Sequence, residues 1–564
     1  MSNKTKVIIA IVAIIAVMGT IVGIGVSSTK NVGKTQNAIS QEEARTSLAK
    51  LVSKVDVEEK EAPMAAIDSV TTNVADELPD INKSYPLSTE GRGDINIEIF
   101  TSTEKGGTGT DGWLNDVAKD FNASNYKVNG KSTSVSIRSV ASGASVDYIV
   151  SKAYQPDAYT PSNEIFGEMI ASSGVKITKV EDKLIHNTAG ILVSADTEKK
   201  VKDAYGKVDL NTVVKATQDG IITMGYTNPY SSATGINFLI NTLSVADAKN
   251  ILSDTAVENF NAFQKNVPLV AFTTLQMRES AESGVLDGFI MEYQTYINDK
   301  TLASYKFIPF GVAHDNPLYS IGVLSDDKAA VLEEFKDFCL SKSAQELATR
   351  YGFNDELGYK PTISVPDGAT CIAAQKLWKD NKDNGQEIMA VFVVDTSGSM
   401  DGEPMNALKS SLINSINYIN NEAYIGFITY DDTVTKWRDI AQFNTNEKAY
   451  FKGAVQSLSA NGGTSMYSGI VTGLNMLETA KADHPNAKPM LFVLTDGKPN
   501  EWLSYNDIYK TVDGLDIPIY TIGYGSGADM DELGKISSIN EAASIDASTN
   551  DVVYKLKNLF NAEL

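Results

Sequence analysis

The sequence predicts an α/β protein with two globular regions, and three features support this. Apolar runs typical of strands alternate with apolar residues at helical spacing, both from 94 to 370 and from 387 to 564. In the second region the unbroken apolar run 391–394 leads directly into a polar triplet. Such alternation is typical of sheets covered by helices. An unbroken apolar run indicates a strand buried on both faces, so we expect a doubly wound, Rossmann-like sheet in the second region.

Composition excludes several classes of protein. The chain has 564 residues, a net charge of −22, 42% hydrophobic residues and 21% charged residues, which together indicate a globular protein with more than one domain. An acidic protein is a poor partner for nucleic acid, because binding phosphates requires a basic face. Cys339 and Cys371 are too few for a disulfide scaffold or a zinc finger. They form either one disulfide or two buried thiols.

The N-terminal segment predicts export of the chain. Residues 7–26 contain no charge, and twenty residues is the length that a helix needs to cross a bilayer. We therefore predict a transmembrane anchor or signal segment in residues 1–26. Its length favours an uncleaved, single-pass anchor in the cell membrane, and Gly23-Ile-Gly25 is the candidate cleavage site if the segment is a signal. Lys4 and Lys6 place the short end in the cytoplasm, so the bulk of the chain is extracellular.

Residues 27–93 are predicted to be a stalk or linker. Ser40-Gln-Glu-Glu43 has the pattern of a capping box and predicts a helix at about 40–55. Beyond it, charged residues, Pro, Ser and Thr mix with little periodicity, which indicates a flexible spacer.

The region 94–370 repeats a unit of strand, polar loop and helix. The strand 95–100 is followed by a polar loop at 101–107 and by a helical pattern through Trp113, Val117 and Phe121. At 225–239 a strand ends in an Asn-Pro turn and a helix begins. Residues 283–293, 307–311 and 314–320 add further strand and loop patterns. This region resembles the type II extracellular solute-binding proteins of bacterial transporters.

That resemblance implies two α/β lobes, crossing segments that act as a hinge, and a ligand cleft between the lobes. Hydroxyls and helix N-termini would then contact a small solute. The candidate ligand-binding residues are Ser102, Thr103, Ser142, Asn228, Ser231, Ser232, Thr234, Glu292 and Tyr293. The alternatives are that these residues only cap helices, or that the fold persists without a ligand. Glu104 and Lys105 beside them would form a local salt bridge.

The polar triplet of the second region is Asp395-Thr-Ser397-Gly-Ser399. It follows a strand, and ligands of open α/β sheets bind at the carboxyl ends of strands. One carboxylate and two hydroxyls form an all-oxygen set suited to Mg²⁺ or Mn²⁺. A nucleophilic serine would need a nearby base such as His, and the chain has only three His. The plain alternative is a helix N-cap.

The triplet resembles the metal-ion-dependent adhesion site (MIDAS) of von Willebrand factor type A (VWA) domains. That site adds a Thr from a second loop and an Asp from a third, which match Thr464 in 461–466 and Asp496 after the apolar run 490–494. The resemblance implies that Mg²⁺ (or Mn²⁺ or Ca²⁺) is the cofactor. Ser397 and Ser399 would ligate it directly and Thr464 directly or through water. Asp395 and Asp496 would hold coordinated waters, and a partner's carboxylate would complete the shell.

Together these features predict a bacterial, membrane-anchored cell-surface protein. Its VWA domain (387–564) would dock an acidic group of a protein partner through the cation, as in adhesion, and its middle domain (94–370) would bind a small solute. The alternative is a solute-capture or sensing component of a transport system, with the VWA domain as the coupling module. Without a Ser-His-Asp set, a P-loop or a Cys-His pair, the sequence does not predict an enzyme.

Overall fold

The computed structural model describes residues 39–564 except 68–73, 268, 272–285, 356, 384, 526, 541, 543 and 549–550. The chain divides into two compact units, unit 1 (Met1–Thr72 with Gly385–Leu564) and unit 2 (Asn73–Asn384). The predicted anchor at residues 1–26 lies outside the described residues. Within the described ranges, no helix combines the length and the apolar character needed to cross a membrane.

The helices and strands alternate along most of the chain, as predicted. The described α-helices are α1 (Gln41–Val52), α2 (Val74–Glu77), α3 (Ile81–Ser84), α4 (Thr103–Gly106), α5 (Trp113–Ala123), α6 (Ser142–Ser151), α7 (Ile165–Ser172), α8 (Ala195–Tyr205), α9 (Leu210–Gln218), α10 (Ala233–Ala246), α11 (Asp254–Gln264), α12 (Tyr293–Asn298), α13 (Asp326–Leu340), α14 (Lys342–Arg350), α15 (Gly368–Asn381), α16 (Glu403–Ser415), α17 (Thr445–Ser457), α18 (Met466–Ala480), α19 (Tyr505–Leu515), α20 (Met530–Ser538) and α21 (Val552–Glu563). The described strands are β1 (Val57–Glu59), β2 (Leu87–Thr89), β3 (Ile95–Thr101), β4 (Lys127–Val128), β5 (Lys131–Ser139), β6 (Ala158–Thr160), β7 (Ile177–Glu181), β8 (Ala189–Val193), β9 (Met224–Thr227), β10 (Leu269–Ala271), β11 (Gly288–Glu292), β12 (Lys306–Pro309), β13 (Leu318–Ile321), β14 (Ile388–Asp395), β15 (Tyr424–Tyr430), β16 (Val434–Gln442), β17 (Lys488–Thr495), β18 (Ile519–Tyr524) and β19 (Ser544–Ala547).

The sheet of unit 1 has helices on both faces. Its strand order is β1-β16-β15-β14-β17-β18-β19, and the pairs from β15 to β19 are parallel. Every residue of the central strand β14 is buried. Along it, Val391 and Val393 join the core formed with α18 and α19, whereas Phe392 packs on Phe451 and Phe560 of α17 and α21. This alternation across the sheet confirms the predicted α/β fold of this region.

The N-terminal part of unit 1 corrects the prediction of a flexible spacer. The predicted helix is present as α1, with both hydrogen bonds of its Ser40 capping box. Its residues Ala44 and Leu48 are buried in the core of unit 1. After α1, β1 pairs in parallel with β16 and extends the sheet, and Ala65 N donates to Ala449 O of α17 at 3.0 Å. We call residues 39–67 the N-terminal strap.

Unit 2 consists of two lobes, each built on its own sheet. The first lobe has strand order β2-β5-β3-β6-β13-β7, with β4 paired to β5, and the second has β10-β9-β11-β8-β12. The chain crosses between the lobes through residues 182–188 and 310–317. These crossing segments pair with each other, because Asn187 and His314 form an antiparallel bridge. Two lobes joined by paired crossing segments are the arrangement that the resemblance implied.

The boundaries of unit 2 differ from the prediction. Residues predicted as linker form α2, α3 and β2, and Tyr148 of α6 donates to Pro79 O at 2.7 Å. Residues 368–381, at and beyond the predicted end of the middle domain at residue 370, form the full helix α15. This helix buries Trp378, whose Nε1 donates to the Tyr226 hydroxyl at 2.7 Å. Cys339 and Cys371 are both free and buried.

Candidate functional site

The predicted metal residues converge at the carboxyl edge of the sheet of unit 1. Asp395 is the last residue of β14, and Asp496 directly follows β17. The chain leaves β14 for β15 on one side and later returns to β17 on the other. The strand order therefore reverses between β14 and β17, and such switch points leave a crevice at the sheet edge. We call the set Asp395, Ser397, Ser399, Thr464 and Asp496 the candidate cation site.

Asp395 lies at the bottom of this site and is fully buried. Its Oδ1 accepts from Ser397 N at 2.7 Å, and its Oδ2 accepts from Thr495 Oγ1 at 2.6 Å. Burial raises the pKa of Asp395 to about 6, with nearby Asp496 adding to the rise and the hydrogen bonds opposing it. Burial likewise raises the pKa of Asp496. Two carboxylates held in a partly buried crevice favour an added positive charge.

The hydroxyls complete the site, and Ser399 is its exposed member. Ser397 Oγ and Ser399 Oγ lie 3.0 Å apart, and Ser399 Oγ donates to Asp496 Oδ1 at 2.7 Å. Thr464 belongs to the same cluster, because a Cβ placed on Gly497 would lie 3.3 Å from Ser399 Oγ and 3.6 Å from Thr464 Oγ1. Ser399 is exposed to solvent whereas Asp395 is not. The site therefore has a closed base and an open mouth.

Hydrogen bonds that the sequence did not predict hold the three loops together. Gly398 N donates to Gly462 O at 3.0 Å, which ties the first loop to the second. Thr464 N donates to Asn500 Oδ1 at 2.7 Å, which ties the second loop to the third. Gly462 has a φ of +70°, and a Cβ there would lie 2.6 Å from Asp432 Oδ2, so this position requires glycine. At Gly398 a Cβ would lie 3.4 Å from Gly462 O, which is an ordinary contact.

The donor set fits a hard divalent cation. It offers two carboxylates and three hydroxyls, which are the oxygen ligands that Mg²⁺ and Ca²⁺ prefer. In the part of the chain that the structure describes, no group of three or more His, Cys, Asp and Glu is placed to hold a metal. The candidate cation site differs from such groups because it contains only two carboxylates and takes its other three donors from hydroxyls.

In unit 2, the predicted ligand residues fall into two groups. The first group lies where the lobes meet. Ser102 is buried and accepts from Lys105 Nζ at 2.6 Å, and Thr234 Oγ1 donates to Glu292 Oε1 at 2.7 Å. Ser142 and Ser231 lie at the contact between the lobes, because Gly143 N donates to Ser231 O at 3.2 Å.

The second group is committed to local structure. Ser232 caps α10 by accepting from Gly235 N at 3.1 Å, and Asn228 Oδ1 accepts from Tyr230 N at 2.8 Å in the preceding turn. Thr103 is half-buried in the first turn of α4. Tyr293 donates its hydroxyl proton to Asp355 at 3.2 Å and packs on Phe307. The capping alternative therefore describes Ser232, whereas Asn228 supports a turn and Tyr293 bonds to Asp355.

Sequence reasoning missed the charged residues beside this group. The expected local salt bridge is replaced by other bonds, since Lys105 Nζ donates to Ser102 Oγ and, at 2.8 Å, to Thr160 O. Glu104 instead accepts from the Ser162 hydroxyl. His314 is fully buried in the crossing segment, 3.3 Å from Glu292. No spacing motif marks these residues, because separate elements bring them together.

Lys105 predicts a pH dependence of stability. Burial lowers the pKa of Lys105 from 10.5 to about 8, although Glu104 and Glu292 oppose the shift. Because the unfolded chain binds the proton more tightly, unit 2 should gain roughly 3 kcal/mol as the pH rises from about 8 to about 10.5. Below that pH range Lys105 is protonated in the folded chain, and the full free-energy cost of burying its charge lowers the stability of unit 2. Urea unfolding of the full chain measures this gain, which Lys105→Met should remove. The exposed control Lys342→Met should retain it, and an equal gain in Lys105→Met would contradict the assignment.

Both regions of the chain match known protein families. Residues 390–562 match the family model of the von Willebrand factor type A domain, and residues 106–354 match that of the bacterial extracellular solute-binding protein. The chain is 29% identical to inter-alpha-trypsin inhibitor heavy chain H1 of Bos taurus over 30% of this chain and 19% of the relative. It is 26% identical to heavy chain H3 of Homo sapiens over 26% of this chain and 18% of the relative. The match thus spans about a fifth of those proteins.

Solved structures also resemble parts of the chain. The sulfate-binding protein SubI from Mycobacterium tuberculosis H37Rv aligns with a TM-score of 0.36 and 16% identity, over 51% of this chain and 98% of SubI. A von Willebrand factor type A protein from Catenulispora acidiphila aligns with a TM-score of 0.28 and 22% identity, over 31% of this chain and 42% of that chain.

Both predicted resemblances are confirmed by the family models. Residues 106–354 form a bacterial extracellular solute-binding domain and residues 390–562 form a VWA domain.

Proposed function

We propose that this protein is an extracellular binding protein in which unit 2 captures a small solute and the candidate cation site binds Mg²⁺. The bound cation would then accept a carboxylate from a protein partner. The observation that carries the proposal is the convergence of three loops on one crevice with a buried carboxylate at its base and exposed Ser399 at its mouth. VWA domains commonly bind a divalent metal ion and often mediate protein interactions, and solute-binding domains bind small solutes.

The residues have distinct roles in this proposal. Ser397, Ser399 and Thr464 would offer hydroxyl oxygens to the cation, and Asp395 and Asp496 would balance its charge. A divalent cation held mainly by neutral oxygens keeps an unbalanced positive charge, which attracts an incoming carboxylate. The exposed side of the site at Ser399 leaves room for that approach.

Attachment to a membrane is part of the proposal and rests on sequence. The uncharged segment 7–26 would anchor the chain, or direct its export, and leave the remainder outside the cell. The family of unit 2 favours an extracellular or periplasmic location for that domain.

A pull-down from membranes of the source organism tests the docking step. We expect the full chain to recover a partner in Mg²⁺ but not in EDTA, and Asp395→Asn to recover none in either. The matched control Asp483→Asn changes an exposed carboxylate in the loop that leads into the amino end of β17 and should behave like the wild type. Equal recovery in Mg²⁺ and EDTA would contradict cation-dependent docking. A transport component recovered in both would favour the coupling role in solute transport.

A further inference from the structure

Four ionisable side chains meet where the two lobes of unit 2 face each other. Each is less than a tenth exposed, and they come from the first lobe, the second lobe and a crossing segment. We call this set the interlobe charge cluster: Glu104, Lys105, Glu292 and His314. Its members interact electrostatically across the lobes. Glu292 opposes the lowering of the Lys105 pKa, and the pKa of Glu292 is raised by Glu104 and lowered by His314.

Hydrogen bonds fix the charge of the His314 ring. Asn163 Nδ2 and Asn237 Nδ2 each lie 3.1 Å from His314 Nε2. Both amides are oriented by the backbone, since Asn163 Oδ1 accepts from Ile165 N and Asn237 Oδ1 accepts from Val312 N. The ring nitrogen between two amide donors must accept. The ring therefore carries its proton on Nδ1 and is neutral.

The remaining charges of the cluster do not cancel. The Lys105 ammonium donates to two uncharged oxygens, Ser102 Oγ and Thr160 O. The single positive charge of Lys105 nevertheless balances only one of the two carboxylates, Glu104 and Glu292. With a neutral His314, one negative charge is left over when both carboxylates are ionised, and burial together with Glu104 raises the pKa of Glu292. A buried charge without a counter-charge is unfavourable, so the cluster requires a further positive group or a proton.

Glu292 is the member with an uncommitted oxygen. Its Oε1 accepts from Thr234 and faces His314 Nδ1 at 3.3 Å. Its Oε2 is buried and has no hydrogen-bond partner among the residues that the structure describes. A buried carboxylate oxygen without a donor is uncommon in native proteins, and it can accept an N–H bond from a bound molecule.

The donors closest to Glu292 face its own carboxylate. Thr234 gives its hydroxyl proton to Glu292 Oε1, and His314 Nδ1 lies 3.3 Å from the same oxygen. An oxyanion would also approach two carboxylates against a single ammonium. The cluster therefore opposes an anion and favours a cation.

We propose that the cleft between the lobes of unit 2 takes a small organic cation, such as a protonated amine, with Glu292 as its counter-charge. This inference rests on the proposed solute-binding function of unit 2. The amine would donate to Glu292 Oε2 and balance the remaining negative charge of the cluster. Closure of the lobes, through contacts such as Gly143 N to Ser231 O, would shield that pair from water.

Thermal unfolding of the full chain with three classes of probe tests the proposal. The amine probes are arginine, spermidine and ethanolammonium; the oxyanion probes are sulfate, phosphate and molybdate; glucose and maltose are neutral probes. We expect an amine to stabilise unit 2, and Glu292→Gln to weaken its binding about tenfold or more, because a hydrogen bond to a charged group is lost. The exposed control Glu346→Gln should bind it unchanged.

The other outcomes separate this inference from the proposed function. Stabilisation by an oxyanion or a neutral probe, with none by amines, would overturn the organic-cation assignment and leave solute binding intact. No stabilisation by any class would overturn both. If Glu292→Gln fails to fold, Glu104→Gln removes the other carboxylate and should also weaken amine binding. Unchanged amine affinity in the folded variant would overturn the role of the cluster.

Discussion

Asp395→Asn is expected to weaken Mg²⁺ binding by about 10- to 100-fold, the usual effect of losing a group that supports a metal from its outer shell. The amide can still accept from Ser397 N, so the loop should keep its conformation. Without metal, the variant should be at least as stable as the wild type at neutral pH. Burial raises the pKa of Asp395 to about 6, so ionising this carboxylate costs folding free energy that a neutral amide avoids.

Thermal unfolding with Mg²⁺ and with EDTA measures both effects. The wild type should melt at a higher temperature in Mg²⁺ than in EDTA, whereas Asp395→Asn should show a much smaller increase at the same Mg²⁺ concentration. Asp483→Asn, at the opposite end of the strands, serves as the matched control and should respond like the wild type. A variant that loses stability in EDTA but keeps its response to Mg²⁺ would show that Asp395 acts only in folding.

The second large effect is expected from Leu48→Ala in the N-terminal strap. Leu48 is 2% exposed and packs into the core of unit 1. Its truncation should lower the free energy of unfolding of unit 1 by about 2 to 5 kcal/mol, the usual cost of a Leu-to-Ala change in a core. Other contacts of α1 support this packing, because Ser47 Oγ lies 2.7 Å from Thr511 Oγ1 and Arg45 Nε donates to Glu478 at 2.7 Å.

Chemical denaturation of the full chain measures this effect. Lys50→Ala is the matched control, since Lys50 is exposed on the same helix. If α1 only spaced the unit from the membrane, the two variants would be equally stable. A folded Leu48→Ala should still bind Mg²⁺, because the strap supports the core rather than the candidate cation site.

The candidate cation site could be predicted from the sequence because its residues occupy fixed places relative to strands. Asp395 ends one strand and Asp496 follows another, and parallel strands present their carboxyl ends on the same edge. The supporting bonds of Thr495, Asn500 and Asp432 could not be predicted in this way. They depend on how three loops pack, which no spacing in the sequence records.

The packing of the N-terminal strap could not be predicted, for a different reason. All three residues of β1, Val57, Glu58 and Glu59, are exposed, so the segment lacks the alternation of a half-buried strand. It is held by backbone pairing at the edge of the sheet, which does not depend on apolar side chains. Similarly, α15 buries Cys371, Ala374, Gln375 and Trp378 at helical spacing. Because this buried face includes small and polar residues, the sequence does not show it as an apolar face.

In unit 2 the fold could be predicted but the contacts of individual residues could not. Hydroxyls at helix starts are equally consistent with caps and with ligand contacts, and their positions in the sequence look alike. In the structure Ser232 caps α10, whereas Thr234 donates to Glu292. The interlobe charge cluster joins residues that are far apart in the sequence. Only the folded chain places Glu292 beside His314.

Calorimetric titration of the full chain with Mg²⁺ measures directly whether the candidate cation site binds a metal. We expect one saturable Mg²⁺ site per chain in the wild type, and binding that is strongly weakened in Asp395→Asn and unchanged in Asp483→Asn. No binding by the folded wild type, or equal binding by wild type and Asp395→Asn, would contradict the candidate cation site.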